Sequence, residues 1–157
     1  MKSLKIKNVS QNNRRRQIEI STDRGFFTLP YGKLLNPPTL LNPIKGISID
    51  PEMGFEGINI ILKNGKEQTI HGDQFLDYHK DVDYLRYIQL HRLGVEAMKL
   101  FKKQNLSKRE LARRMKTSNA HIHKLLNPAN YQKTLDQMFK LLSVLGADVQ
   151  FEIKKSA

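Results

Sequence analysis

The stretch from Leu106 to Leu126, LSKRELARRMKTSNAHIHKLL, limits the possible folds most, because it holds two helix starts and two apolar stripes around one turn. Ser107 with Glu110 three positions later has the pattern of a capping box and predicts a helix from Lys108. Leu111, Ala112 and Met115 then recur at helical spacing. Thr117 and Ser118 offer a second N-cap, and Ile122, Leu125 and Leu126 form the next apolar stripe. Two short helices joined by one tight turn, with apolar faces that can meet, describe a helix-turn-helix. The outward face of the second helix carries Asn119, Ala120, His123 and Lys124, with His121 to one side and no carboxylate.

These residues resemble the phage-repressor-like, Xre-type helix-turn-helix family, and the longer run to Ile153 resembles antitoxins of the HigA kind. The matching positions are Leu106, Ser107, Glu110 to Met115, Thr117, Ser118, Ile122, Leu125 and Leu126, then Lys133-Thr134-Leu135 and Leu145-Gly146. The resemblance covers roughly the last sixty residues, a domain-sized share. It implies a transcriptional repressor that autoregulates its operon and neutralises a toxin. Many family members have Gly at the turn where this chain has Lys116; a lysine at positive φ costs about 1 kcal/mol.

Groove dimensions then assign roles. With the second helix in the major groove, Asn119 can pair bidentately with adenine, Lys124 can reach guanine, Ala120 can touch a thymine methyl, and His123 is a further base reader. Lys108, Arg113, Arg114, Asn130 and Lys133 are expected to hold phosphates and set register. One copy offers few base contacts, so a homodimer on an inverted repeat is expected, with half-sites about 34 Å or a multiple apart.

Charge is distributed accordingly. The chain carries a formal +12, but residues 1–83 hold 12 Lys+Arg against 10 Asp+Glu, whereas residues 84–157 hold 15 against 5. The basic excess lies in the half with the helix-turn-helix, where phosphate neutralisation would release counterions.

The preceding half reads as β structure. Lys2–Asn8 and Gln17–Ile20 alternate polar and apolar residues, Ser10–Asn13 reads as loop, and residues 16–29 make a plausible hairpin. Arg14-Arg15-Arg16 suits edge protection, with a DNA arm or a partner-facing patch as alternatives. Pro30 to Pro43 reads as a loop whose leucines cover the sheet. Residues 46–50 form a strand, and residues 57–62 and 66–71 flank Asn64-Gly65, a type I′ turn signal. An antiparallel sheet of four or five strands follows. Val82 to Gln104 has helical spacing, with Gly94 as a break or bend, and residues 134–145 predict a last helix with a Thr134–Gln137 capping box and Gly146 at its end. Val149, Phe151 and Ile153 alternate as a terminal strand that would pair with the first sheet or with a second copy.

The resulting expectation is α+β: a β-rich domain at 1–80, for toxin binding or dimerisation, then a helix-turn-helix domain with a terminal strand at 81–157. Absent Cys and Trp exclude disulfides, thiolate nucleophiles and Cys-based zinc sites. With no apolar leader and no run of about 18 apolar residues, a cytoplasmic chain without a membrane partner is expected. Asp73, Asp77, Asp81 and Asp83 with His71 and His79 read as helix starts and solvated loop, or as an acidic contact for a basic toxin. His121 and His123, two apart on a helix, point apart and do not chelate. Without nucleotide-loop or nucleophile-elbow motifs, neither an enzyme nor a cofactor is expected. The rivals are a stand-alone regulator, an RNA-binding protein and, least supported, a nuclease that binds metal through those aspartates.

Overall fold

Ile18 and Ile20, alternating with Gln17, Glu19 and Ser21, give β2 (Gln17–Thr22) one apolar face. The computed structural model describes residues 4–155, so residues 2 and 3 of the expected first strand lie outside the described residues. The chain is α+β and divides into two units, Met1–Leu85 and Arg86–Ala157, the division falling inside a helix.

The first unit holds two antiparallel three-stranded sheets. In one, β1 (Ile6–Asn12), β2 and β3 (Gly25–Pro30) pair in sequence order; in the other, β4 (Ile44–Asp50), β5 (Gly57–Leu62) and β6 (Glu67–His71) do the same. Register aligns apolar with apolar: Ile20 faces Phe27, Ile18 faces Leu29, Ile47 faces Ile60, and Ile58 faces Ile70. The inward residues of both sheets, with Phe75 and Leu76 of α1 (Asp73–Tyr78), make one core. Each fully buried Ile, Leu or Phe there contributes about 1.5–3 kcal/mol.

Several sequence expectations change here. One sheet of four or five strands becomes two of three. Ser10, Gln11 and Asn12 continue β1, because backbone pairing with Glu19, Ile18 and Gln17 needs no apolar side chain. At Asn64-Gly65 only Gly65 takes positive φ (83°). Gly65 N–H donates to Leu62 O and Leu62 N–H to Lys66 O, which gives a type I turn with a bulged glycine, one residue longer than type I′. Of the leucines in the proline-rich loop, only Leu34 packs into the core of the sheets. Leu34 is buried, but Leu35, Leu40 and Leu41 are 88%, 93% and 89% exposed. Gln68 ties the loop down, accepting from Asn36 N–H at 3.0 Å and donating to Asn36 O at 2.7 Å.

The second unit takes most of α2 (Val82–Lys103), then α3 (Lys108–Met115), α4 (Asn119–Leu126) and α5 (Leu135–Val144). Leu90, Ala97, Leu111, Met115, Ile122, Leu125, Met138 and Leu141 are buried in one core. Gly94 does not break α2. A Cβ on it would sit 3.0 Å from Pro128 Cα and 2.9 Å from Lys133 Nζ, so the glycine is there for close approach. Thr134 and Gln137 form the reciprocal capping box, and Gly146, at φ 74°, follows the last turn of α5. Residues 148–153 form no strand, although Phe151 meets Phe139 edge-on at 5.3 Å between ring centroids. The alternation is present, but no strand among the described residues pairs with it.

Candidate nucleic-acid interface

The two helix starts form as their hydroxyls dictate. Ser107 Oγ accepts the Glu110 N–H at 3.1 Å, and Ser118 Oγ accepts the His121 N–H at 3.1 Å. Each satisfies one of the orphan donors of a first turn. The return half of the first box is missing, because Glu110 is engaged elsewhere. Its carboxylate takes Arg113 Nε and Nη2 at 2.9 and 2.6 Å and Arg114 Nε at 3.1 Å. Hydrogen bonds from Arg113, then Arg114, hold Glu110 down to about 2 from its ordinary 4.5.

Between the helices Lys116 lies in the left-handed region, at φ 52° and ψ 48°. The turn has the glycine geometry without the glycine. Its N–H and that of Thr117 donate to Arg113 O and Ala112 O, satisfying the last carbonyls of α3.

On α4, Ile122, Leu125 and Leu126 are buried, while Asn119, Ala120, His123 and Lys124 are exposed. The four expected base readers therefore share one solvent face, at positions i, i+1, i+4 and i+5. Lys108 Nζ lies 3.1 Å from His123 Nδ1. An ammonium only donates, so Nδ1 accepts and the ring proton of a neutral imidazole sits on Nε2. His123 thus presents a donor, and Lys108 from α3 stands beside the face. Arg113 and Arg114 are exposed on α3, tied to Glu110.

One expected phosphate residue, Lys133, turns inward, and another, Asn130, is bonded to the backbone around it. Lys133 is 2% exposed, and its Nζ donates to Leu125 O at 3.0 Å and Asn127 O at 2.8 Å. It neutralises the carbonyl end of α4 and cannot reach a phosphate without leaving the core. Burial pushes its pKa below the ordinary lysine value. Asn130 sits nearby: its Nδ2 donates to Lys124 O at 3.1 Å and its Oδ1 accepts Gln132 N–H at 3.2 Å. Its amide closes the loop after α4. Tyr131 donates to the Tyr87 hydroxyl at 3.0 Å, fixing the same loop to α2. Sequence reading missed the role of Lys133; the signal was Gly94, a small residue facing the place where the lysine head must fit.

The acidic stretch of the first unit is structural in part. Asp81 caps α2, accepting Tyr84 N–H at 2.9 Å, and takes Arg24 Nη2 on both oxygens at 2.8 and 2.9 Å. Burial would raise its pKa, but these donors outweigh that and hold it below the ordinary carboxylate value. Asp77, expected in a loop, lies in α1, and His79 Nε2 lies 2.9 Å from Thr28 O. Among the described residues no three His, Asp or Glu side chains converge as metal ligands.

No protein-family model, no curated protein and no solved structure matches this chain. No helix among the described residues is long and apolar enough to cross a membrane.

Proposed function

We propose that this protein is a cytoplasmic, sequence-specific repressor that binds duplex DNA through α4, and that it acts as the antitoxin of a toxin–antitoxin pair. The observation that carries the DNA reading is the exposed, carboxylate-free face of Asn119, Ala120, His123 and Lys124 on a helix capped at both ends. Asn119 would read adenine and Lys124 guanine, while Lys108, Arg113 and Arg114 hold phosphates. Under the same reading the first unit receives the toxin, and its acidic end suits a basic partner. Alanine at both Asn119 and Lys124 should cost about 1–3 kcal/mol per lost bidentate contact and relax operator preference. Gel shifts with an unchanged preference would refute the groove assignment.

The homodimer in this proposal pairs residues 148–154 across a two-fold axis. Antiparallel pairing centred on Phe151 sets Val149 opposite Ile153 and Asp148 opposite Lys154, so apolar meets apolar and acid meets base. A centre at Gln150 would oppose Asp148 to Glu152, and one at Glu152 would oppose that residue to itself. Because the chain has no cysteine, mixed Val149→Cys and Ile153→Cys protein should form disulfide-linked dimers on oxidation. Equal cross-linking by Val149→Cys protein alone would refute this register.

A further inference from the structure

Three turns of the first unit meet at one end. The β1–β2 turn (13–16), the proline-rich loop (31–43) and the β5–β6 turn (63–66) are stitched together there. Tyr31 N–H donates to Arg16 O at 2.9 Å and Tyr31 hydroxyl to Asn13 Oδ1 at 2.7 Å; Lys63 N–H donates to Pro43 O and Asn64 N–H to Asn42 Oδ1, both at 2.9 Å. Within the loop Thr39 and Asn42 bond each other's backbone N–H, and Gln68 clamps Asn36 from inside. The loop is therefore held with Leu34 in the core and Leu35, Leu40 and Leu41 exposed, so folding of the unit does not use those three side chains.

This end is also cationic. Arg14, Arg15, Arg16, Lys33, Lys45 and Lys63 are all exposed on its turns or beside them. The nearby carboxylates are Glu67, at the first position of β6, and Glu19, held by Asn12 and Gln17 inside the sheet margin. The aspartates of the unit gather at the opposite ends of the strands, at residues 23, 50 and 73–83. Exposed aliphatic side chains on a loop tied to turns rich in exposed cations complement a surface that is anionic outside and hydrocarbon beneath.

We infer that Leu35, Leu40 and Leu41, with the arginines and lysines of the adjoining turns, form a docking surface for an anionic lipid bilayer. The leucines enter the headgroup–acyl boundary, and the basic side chains contact lipid phosphates. Protein interfaces are depleted in lysine, and Leu is under-represented among their dominant residues; the arginines suit either partner, so the lysines and leucines are what favour a bilayer over a protein groove. The sequence expectation of no membrane partner rested on the lack of a spanning segment, which peripheral contact does not need. This surface belongs to the first unit and α4 to the second, and it does not depend on the function proposed for α4.

The chain has no tryptophan, so full-length protein carrying Leu41→Trp has a single indole emitter at a site where the wild-type side chain is free. With vesicles of 70% phosphatidylcholine and 30% phosphatidylglycerol its emission should shift to the blue and be quenched by brominated acyl chains; pure phosphatidylcholine should leave it unchanged. Charge attraction by the basic second unit would bind vesicles without burying this residue. In vesicle co-sedimentation at physiological salt, Leu40→Ser with Leu41→Ser should lower binding about tenfold and leave DNA affinity unchanged. An unshifted emission with bound vesicles overturns the proposal, as does emission quenched by duplex DNA but not by lipid, which would make the end a nucleic-acid contact.

Discussion

Lys133 offers a sharp test, because a surface phosphate contact and a buried helix cap respond to mutation in opposite ways. Lys133→Ala removes three buried methylenes beyond Cβ, about 0.8 kcal/mol each. It also removes the donor to Leu125 O; Asn127 O keeps the Asn130 N–H as a partner at 3.1 Å. An orphaned buried carbonyl costs about 1–3 kcal/mol, partly offset by release of an ammonium from a desolvated site. The net loss should be about 2–4 kcal/mol. Lys133→Met keeps most of the packing and isolates the polar part, for a loss of about 1 kcal/mol by the same reasoning. Urea unfolding followed by helical circular dichroism measures both. At salt concentrations where the variants remain folded, the slope of log affinity for DNA against log salt should match wild type. A stability change under about 0.5 kcal/mol with a slope reduced by about one would mean that Lys133 holds a phosphate after all.

Gly94→Ala should destabilise the second unit by about 1–3 kcal/mol, since the new Cβ meets Pro128 backbone at 3.0 Å and cannot be relieved by a side-chain rotation alone; an unchanged unfolding midpoint would remove the close-approach argument. For Glu110 the folded pKa is lowered, so its contribution is present above 4.5 and is lost as pH falls toward about 2. Carboxyl-carbon NMR should show a midpoint near 2, and Arg113→Gln with Arg114→Gln should return it toward 4.5.

The features legible in the sequence were those decided within a few residues. Ser107, Ser118 and Thr134 each bond an N–H three positions on, so their helix starts needed no tertiary information. The α4 face followed from the same local periodicity. What the sequence concealed depends on distant partners. Nothing near Lys133 says that two carbonyls await it, and its neighbours Gln132 and Thr134 are exposed. The separation into two sheets turns on β3 and β4 not pairing, which strand alternation does not encode. Leu40 and Leu41 read as buried because they are leucines, yet both stand exposed on a loop held by its own backbone bonds. Residues 148–153 have the alternation of a strand, and only pairing partners can make them one.

Glu110 has a further consequence for any polyanion that approaches α3. Arg113 and Arg114 already share a carboxylate built into the same helix. A phosphate arriving there competes with an anion that cannot diffuse away, so these guanidiniums release fewer mobile ions than their charge suggests. Non-specific attraction at this corner is thereby weakened in advance, and an encounter succeeds best where the α4 face contributes contacts of its own. A single acidic residue, placed where capping alone would have used it, makes this strongly basic unit less indiscriminate than its net charge implies.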